Sequence, residues 1–386
     1  MKILTVGGGS GGHVTPVVAV IKEIKKTNSK SEIRFWCDSV FYDRATAIMH
    51  SYSNSIKVSK ISAGKFRRYN HLNFWQHLMI PSVIFPNIRD LFFIVAGFFQ
   101  SFFKLIVWRP DVIFIKGGYV CLPVGVAAHI LRIPFVIHDS DAHPGLTNRI
   151  LSKYATKIIT GAPLKYYNYP KEKSYYVGIP VDDKFKPLTK KQQEEAKKRW
   201  GIGINDSLVV VTGGGLGAKR INKAVVSARE ELEKIAHIVL ISGQNDYEDL
   251  KKDVKNSDKF TLYDFISKDM AGLLGAADVV VARAGATSLL ELAALNKPTI
   301  LIPNAKLTGG HQLKNAKVYE DANAVVVVDE NQLEDNPKIL VNSLKEILQS
   351  KEKSGQLSAN FARFAKPNAA TEVANIVLSV GEKKEK

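Results

Sequence analysis

The sequence predicts an α/β protein made of two halves, each a doubly wound parallel sheet of the nucleotide-binding kind. Two glycine-rich turns support this prediction: residues 7–13 follow the apolar strand Lys2–Val6, and residues 213–218 follow an apolar strand at 207–211. A turn that leads from a buried strand into a helix presents backbone N–H groups and the positive helix end to an anion. We therefore expect two nucleotide-fold halves that face each other across a cleft.

The alternation of strands and helices supports the same class. In the first half, strands are expected at 2–6, 32–37, 112–116 and 134–137, with helices at 15–26 and 122–131. After Trp200 the pattern restarts, with strands at 207–211, 237–241, 260–264, 279–282 and 299–302 and helices at 218–234 and 287–294. Such alternation indicates right-handed βαβ units and parallel sheets.

Proline, glycine and mixed polar residues between the halves indicate where the domains divide. We place a first domain at 1–165, a linker at 166–187, a second domain at 188–366, and a C-terminal helix with a charged tail at 367–386.

Composition limits the possible partners. The 386 residues allow two domains with separate cores, and the formal charge of +17 favours an anionic partner: nucleic acid, acidic lipid or a phosphorylated substrate. Cys37 and Cys121 form neither a metal-binding spacing nor a disulfide framework, which is typical of a reducing compartment. Because Met1 and Lys2 lead directly into a strand, without the features of a secretory signal, we expect a cytoplasmic location.

The segment 65–109 departs from the α/β rhythm, because it is rich in aromatic and basic residues and contains one acid, Asp90. Its run 91–108 is almost entirely apolar, but it is shorter than the ~20 residues that a membrane span needs. A peripheral contact with an anionic membrane surface is favoured instead. The expected contact residues are Phe92, Phe93, Phe98, Phe99, Phe102, Phe103 and Lys104.

Two other interpretations of this segment were weighed. A helix packed on the first sheet would bury some of the aromatic side chains, and we expect this to be partly true as well. Nucleic-acid binding is disfavoured, because the apolar aromatic run is too continuous for a water-exposed stacking platform.

The first glycine-rich turn resembles a dinucleotide fingerprint, with Asp38 as a candidate ribose ligand. Two observations weigh against a nicotinamide enzyme: His13 directly follows the last glycine, and the second half has a phosphate-type turn of its own. A histidine at a helix N-terminus stays neutral near pH 7 and can accept a proton. The alternative is a capping or packing histidine.

The second half offers two further candidate elements. Backbone N–H groups around Gly285, Ala286 and Thr287 could hold a pyrophosphate, and Glu291, one turn later, could bind two ribose hydroxyls or could simply be solvated. The polar loop that contains Gln312 could clamp a sugar or could be an ordinary helix cap.

Six motifs in order resemble the MurG family, glycosyltransferase family 28. They are GGGSGGH at 7–13, GGYV at 117–120, PGLTNR at 144–149, GGGLGA at 213–218, AADVVVARAGATSLLELAA at 276–294 and GGHQLKNA at 309–316. The resemblance covers residues 1 to about 380 and implies a GT-B fold of two Rossmann-like domains. It also implies a UDP-GlcNAc-dependent hexosyltransferase without cofactor or metal, peripheral on the cytoplasmic face of the membrane. Its reaction would be the inverting transfer of GlcNAc to the muramoyl 4-hydroxyl of undecaprenyl-diphospho-MurNAc-pentapeptide, which turns lipid I into lipid II in peptidoglycan synthesis.

The resemblance implies roles for particular residues. His13 would be the catalytic base, although proximity could matter more than its basicity. The acceptor and its diphosphate would lie at Ser10, Gly11, Gly12, His13, Gly118 and Tyr119. The donor would lie at Gly214, Gly215, Gly217, Ile266, Arg283, Gly285, Ala286, Thr287, Glu291, Gln312 and Asp141.

Departures from the family pattern keep alternatives open. Where the family commonly has His-Glu-Gln-Asn, residues 138–141 read His-Asp-Ser-Asp, so Asp141 replaces an amide donor with an acceptor. Asp182 stands where a basic residue is expected, and it would need to point away or be compensated, for example by Arg283 or Lys219. The alternatives are a related enzyme with another lipid acceptor or UDP-sugar, and a catalytically weak membrane scaffold. The short Asp-x-Asp match at 139–141 resembles a metal-binding signature, which we regard as a chance match.

Overall fold

The computed structural model describes residues 1–9, 11–67, 79–214, 217–266, 268–305 and 310–382. The chain divides into two compact units, called here unit 1 and unit 2. Unit 1 contains the described residues of 1–182 and 366–382 together with 310–311, and unit 2 contains those of 183–305 and 312–365.

Unit 1 is built on a seven-stranded parallel sheet in the order β3-β2-β1-β4-β5-β6-β7. Its strands are β1 Lys2–Val6, β2 Glu32–Asp38, β3 Lys57–Ile61, β4 Val112–Ile115, β5 Phe135–Asp139, β6 Lys157–Thr160 and β7 Ser174–Tyr176. Its helices are α1 Thr15–Thr27, α2 Tyr42–Tyr52, α3 Pro81–Val107, α4 Cys121–Ile130 and α5 Leu146–Leu151. The strand order reverses between β1 and β4, and doubly wound sheets bind ligands at that point.

Unit 2 has a six-stranded parallel sheet in the order β10-β9-β8-β11-β12-β13. Its strands are β8 Leu208–Thr212, β9 His237–Ile241, β10 Phe260–Tyr263, β11 Val279–Ala282, β12 Thr299–Leu301 and β13 Val326–Val327. Its helices are α6 Lys190–Arg199, α7 Lys219–Ser227, α8 Arg229–Glu233, α9 Gln244–Asp253, α10 Met270–Ala276, α11 Ala286–Ala294, α12 His311–Glu320, α13 Glu330–Asp335, α14 Lys338–Gln349 and α15 Lys351–Ala362. Here the order reverses between β8 and β11.

The predicted strands and helices lie where the sequence placed them, within a few residues. One predicted helix, 218–234, is divided at Ala228 into α7 and α8. The expected linker, 166–187, contains β7, which pairs with β6 and extends the first sheet.

The C-terminal helix, α16 Ala369–Glu382, belongs to unit 1. Its apolar face packs with α1 and the first sheet, and Val373 and Val377 are completely buried in the same cluster as Ile3 and Phe35. The core of unit 1 is therefore assembled from both ends of the chain.

Candidate active site

The first glycine-rich turn is held by Asp38, at the end of β2. The Asp38 carboxylate accepts the Gly9 N–H at 2.6 Å and the Tyr119 hydroxyl at 2.8 Å, and it also accepts the N–H groups of Val40 and Phe41. With four donors from the chain and 1% exposure, Asp38 braces the turn. The candidate role of Asp38 as a ribose ligand is therefore wrong.

The turns after β1 and β4 touch each other through their backbones. Gly118 has a φ of +95°, and a Cβ there would lie 2.6 Å from the Gly8 carbonyl oxygen. Gly9 has a φ of +81° and lies under the Tyr119 ring. A Cβ built on Gly9 would lie 3.0 Å from the nearest atom of that ring. The GGGSGGH and GGYV motifs thus form one surface at the reversal point of the sheet, and it brings Gly118 and Tyr119 next to the turn that precedes His13.

His13 ends a short 3₁₀ turn, Gly11–His13, directly before α1. A Cβ at Gly117 would lie 3.6 Å from the imidazole and 3.7 Å from Asn148 Nδ2, so the absent side chain leaves space between these groups. The His13 Nδ1 is buried and has no hydrogen-bond partner among the described residues. Burial and, secondarily, the charge of Lys116 lower the pKa of His13 to about 4. The imidazole is therefore neutral near pH 7 and can accept a proton.

Gly11 and Gly12 belong to this turn, and Ser10 lies outside the described residues. A Cβ built on Gly11 would meet no atom of the described residues within 4 Å, so the backbone there is open to a ligand. Gly117, which creates the space beside His13, was not a candidate site residue.

A buried group of charges lies behind the turn. Lys116, only 1% exposed, donates a hydrogen bond from Nζ to Ser140 Oγ, and Asp139, at the end of β5, accepts the Tyr169 hydroxyl at 2.8 Å. Burial lowers the pKa of Lys116 to about 8. Burial and the Asp141 charge raise the pKa of Asp139 to about 7. Lys116 was not among the candidate site residues, although a lysine that ends an apolar strand was a visible signal in the sequence.

In unit 2 the turn between β8 and α7 contains Gly214 and Gly217, both with φ near +80°. A Cβ at Gly217 would lie 2.2 Å from the Ser242 carbonyl oxygen, so the tight packing requires glycine. Ala218, the residue before α7, offers no side chain to cap the helix N–H groups. Gly215 lies outside the described residues.

The β11–α11 turn lies at the same sheet edge, because β8 and β11 are neighbours. Gly285 is the residue before α11, and Ala286, Thr287 and Glu291 are partly exposed on the first turns of that helix. Thr287 and Glu291 are four residues apart and share one face. This face therefore combines helix N–H groups with a carboxylate, which suits a nucleotide.

Arg283 holds this turn in place. Its guanidinium donates to the Ile302 carbonyl at 2.9 Å and forms an ion pair with Glu330, which is 3% exposed. A mostly buried arginine paired with a buried acid fixes the shape of the β11–α11 turn. Glu330 had not been considered.

The last two donor candidates lie near this turn and after β10. The Gln312 side-chain oxygen accepts the Asn304 N–H at 2.8 Å, and the Asn315 amide donates to the Ala284 carbonyl at 3.1 Å, which ties α12 to the β11–α11 turn. Ile266 is half-buried in the loop after β10, beside the exposed Phe265.

Comparison with known proteins agrees with this arrangement. The glycosyltransferase family 28 N-terminal domain matches residues 3–160, and the glycosyltransferase family 28 C-terminal domain matches residues 208–373. A Clostridium kluyveri protein named UDP-N-acetylglucosamine--N-acetylmuramyl-(pentapeptide) pyrophosphoryl-undecaprenol N-acetylglucosamine transferase is 32% identical over 383 residues, which is 99% of each chain. The chain belongs to the MurG family, glycosyltransferase family 28.

Other relatives of this family agree. A Bacillus cereus protein of the same name, numbered 2, is 32% identical over 355 residues, or 91% of this chain and 93% of that protein. The crystal structure of Acinetobacter baumannii MurG aligns with a TM-score of 0.69 at 22% identity, covering 98% of this chain and 99% of that one. The fold is therefore GT-B, as the motif order implied.

The structure shows the surroundings of two departures from the family 28 pattern. The Asp182 carboxylate accepts a hydrogen bond from Lys22 Nζ, on α1, at 2.9 Å. The compensating cation is therefore Lys22, and not the predicted Arg283 or Lys219. Asp141 lies in the β5–α5 loop of unit 1, where its backbone carbonyl accepts the Tyr167 hydroxyl at 2.7 Å.

Within the part of the chain that the structure describes, the Asp-x-Asp match does not belong to a group that could hold a metal ion. Within the described ranges no three His, Cys, Asp or Glu side chains form a group that could hold a metal ion.

Helix α3 is longer than its apolar run suggested. It has 27 residues and begins at Pro81, a residue type that is favoured in the first helical turn. By length and composition it could cross a membrane, and it alone among the described helices passes that test. The expectation that this segment is too short was wrong, because the helix starts ten residues before the apolar run.

One narrow face of α3 is seated on unit 1. The buried residues Val83, Asp90, Gly97, Ser101 and Leu105 are spaced by seven or four, which places them on one stripe. A Cβ at Gly97 would lie 1.8 Å from the carbonyl oxygen of Ser62.

Polar contacts reinforce this seat. Asp90 forms ion pairs with Arg67 at 3.0 Å and Arg89 at 2.9 Å, and Gln100 hydrogen-bonds to Ser62. The Lys104 ammonium donates to the Lys60 carbonyl, so this predicted membrane-contact residue also holds the helix on the sheet.

The predicted membrane-contact phenylalanines divide into two groups. Phe92, Phe93, Phe99 and Phe103 are between 45% and 70% exposed, whereas Phe98 and Phe102 pack on the core of unit 1. The exposed group is joined by Phe85, Leu91, Val95, Ile106 and Val107. The outer face of α3 is therefore a broad exposed apolar surface of the kind that marks interaction sites.

Proposed function

We propose that this protein transfers N-acetylglucosamine from UDP-GlcNAc to the muramoyl 4-hydroxyl of undecaprenyl-diphospho-MurNAc-pentapeptide, with inversion at the anomeric carbon. One observation carries the proposal: the chain is 32% identical, over 99% of its length, to a Clostridium kluyveri protein whose name states this activity. The two anion-binding turns, one in each unit, supply the sites that such a reaction needs.

Unit 1 would bind the acceptor. The diphosphate would lie at Ser10, Gly11 and Gly12, where the backbone of Gly11 is open, with Gly118 and Tyr119 shaping the turn beneath it. His13, neutral and with a buried Nδ1 that has no partner among the described residues, would remove the proton from the attacking hydroxyl.

Unit 2 would bind the donor. The N–H groups at Gly285 to Thr287 would stabilise the charge that develops on the leaving UDP, and the turn that contains Gly214, Gly215 and Gly217 would lie beside its phosphates. Glu291 would accept hydrogen bonds from the ribose hydroxyls, Ile266 would border the uracil, and Gln312 would contact the sugar. Asp141 would also contact the donor. Arg283, held by Glu330, would keep the turn in shape.

The outer face of α3 would place the enzyme on the membrane that carries its lipid acceptor. A crossing helix would have to leave the seat described above, with its buried Asp90 ion pairs and close Gly97 contact. A helix that lies in the interface, with its exposed aromatic side chains among the acyl chains, keeps these contacts. The excess positive charge of the protein would add attraction to anionic lipids.

The test is transfer of labelled GlcNAc from UDP-GlcNAc to a lipid I analogue, with and without EDTA. We expect metal-independent turnover that falls by a factor of at least ~100 in His13→Ala, since general bases contribute 10²–10⁴-fold. In Glu291→Ala the main effect should be a raised KM for UDP-GlcNAc.

Three other outcomes would contradict the proposal. Turnover with a different UDP-sugar or lipid acceptor alone would indicate a related enzyme, as the residues at 139–141 allow. Binding of UDP-GlcNAc without turnover would indicate a scaffold, and absence of binding would refute the donor site.

A further inference from the structure

Helix α5 and the chain after β6 border a cleft of about 420 Å³ in unit 1, called here the α5 cleft. Tyr166, Tyr169 and Pro170 give it an apolar wall, and Asn168 adds an exposed amide. The Tyr169 ring is held in place, because its hydroxyl donates to Asp139 at 2.8 Å. A cleft of this size, with apolar walls and a few polar groups, is typical of a ligand site.

The charge of the α5 cleft is positive. Arg149, on α5, and Lys153, in the turn that follows the helix, both line it and are both exposed. Like charges four residues apart repel each other, and neither side chain forms an ion pair with another described residue. No aspartate or glutamate of the described chain lines the cleft. The cleft therefore favours an anionic ligand that satisfies both cations.

Helix α5 also connects this cleft to the surroundings of His13. Asn148, which is 5% exposed, directs its amide toward the space at Gly117, and that space also borders the His13 imidazole. Successive helical residues point about 100° apart, so α5 presents Asn148 to the His13 side and Arg149 to the cleft. The thickness of one helix, ~10–12 Å, therefore separates the α5 cleft from the acceptor site.

The proposed acceptor carries an anionic chain that begins next to its reacting hydroxyl. In a muramoyl sugar the lactyl group on C3 holds the peptide, and the attacking hydroxyl is on the neighbouring carbon, C4. Because the peptide is attached through its N-terminus, its C-terminal carboxylate is free and ionised at neutral pH. Five extended residues span at most ~17 Å, which is enough to pass α5 and enter the cleft.

We propose that the α5 cleft binds the stem peptide of the acceptor, with the C-terminal carboxylate at Arg149 and Lys153. The guanidinium matches a carboxylate with two parallel N–H groups, and the ammonium adds a second charge. The tyrosine rings pack against the peptide, and the Asn168 amide bonds to its backbone. The inference rests on the proposed function, because it takes its ligand from that reaction.

The first experiment measures KM for two lipid I analogues that differ only at the end of the peptide, which is a carboxylate or a carboxamide. In the wild type, KM should be at least ~10-fold lower for the carboxylate, because hydrogen bonds to charged groups are strong. In the double variant Arg149→Gln/Lys153→Gln the two values should be equal. Lys57→Gln, at an exposed position of β3, is the control and should keep the wild-type ratio.

Two results would overturn the proposal. One is a ratio that is near one in the wild type, or that is the same in the double variant as in the wild type. The other is an equal rise in KM for an analogue without peptide, which would show that the cations serve the diphosphate or the lipid surface. Because both side chains are exposed, the double variant should melt at the wild-type temperature. If it does not, Arg149→Gln alone is assayed in the same way.

The second experiment needs no turnover. A lipid I analogue with a photoreactive diazirine on the last peptide residue is cross-linked to the protein, and the adducts are mapped by mass spectrometry. We expect adducts at Tyr166 and Asn168, and at least ~10-fold fewer of them in the double variant. No adduct, or adducts only outside the α5 cleft, would overturn the proposal. Absence of turnover in the wild type would contradict the proposed function, and the cross-links would still decide the inference.

Discussion

The packing of α3 on unit 1 leads to a prediction about stability. For Gly97→Ala, the expected change in stability has the opposite sign to the change that helix propensity alone would give. Gly97 and Gly355 are both helical glycines, in α3 and α15, and alanine is favoured over glycine by about 1 kcal/mol inside a helix. Nothing among the described residues lies within 4 Å of a Cβ at Gly355. We therefore expect Gly355→Ala to stabilise the protein by about 1 kcal/mol.

Gly97→Ala should do the reverse. Its Cβ would lie 1.8 Å from the Ser62 carbonyl oxygen, a backbone atom, so the helix or the segment after β3 must move by more than 1 Å. Overpacking of this kind costs about 1–3 kcal/mol, and the hydrogen bonds between Gln100 and Ser62, each worth about 1 kcal/mol, are strained at the same time. After the gain in propensity, a net loss of about 2 kcal/mol is expected.

Hydrogen exchange measured by mass spectrometry suits this comparison, because it reports on each helix separately when the two units unfold independently. Exchange in α3 should accelerate in Gly97→Ala, while exchange in α15 should slow in Gly355→Ala. If Gly97→Ala protects α3 as much as Gly355→Ala protects α15, the helix is not seated on unit 1. The argument for an interfacial orientation would then be refuted.

Three further predictions concern the turns, the outer face of α3 and the Lys22–Asp182 pair. Gly118→Ala should raise the KM for the lipid acceptor at least tenfold, because its Cβ would lie 2.6 Å from the carbonyl of Gly8 and its φ is positive; an unchanged KM would argue against an acceptor site there. The double change of Phe92 and Phe99 to serine should weaken sedimentation with anionic vesicles without lowering the melting temperature, since both side chains are more than half exposed. Vesicle binding equal to that of the wild type would show that another surface contacts the membrane. Lys22→Met should cost less than about 1 kcal/mol in urea unfolding, because its partner Asp182 is about one-third exposed; a larger loss would mean that the pair is more buried than its exposure indicates.

The sequence could predict the fold because its information is local. Apolar strands, helical periodicity and glycine-rich turns repeat along the chain, and parallel pairing follows from that alternation. The two turns that were predicted to bind anions lie at the reversal points of the two sheets.

Most of the missed features are contacts between distant parts of the chain. Lys116 meets Ser140 across 24 residues, and Lys22 meets Asp182 across 160. No periodicity in the sequence encodes such a pair. The position of Lys116 at the end of a buried strand was the one signal for the Lys116–Ser140 pair. The bracing role of Asp38 was hidden for the same reason: its four donors, which occupy the carboxylate, come together only in the folded chain.

The place of α16 in unit 1 has a consequence for synthesis on the ribosome. Residues 1–182 emerge first, but their apolar core still lacks Val373 and Val377, which arrive almost two hundred residues later. At 5–20 residues per second this interval lasts roughly 10–40 seconds, during which the whole of unit 2 is made. The nascent first unit must wait with an incomplete core, and a chain released before Ala369 would leave that core permanently open to aggregation and proteolysis.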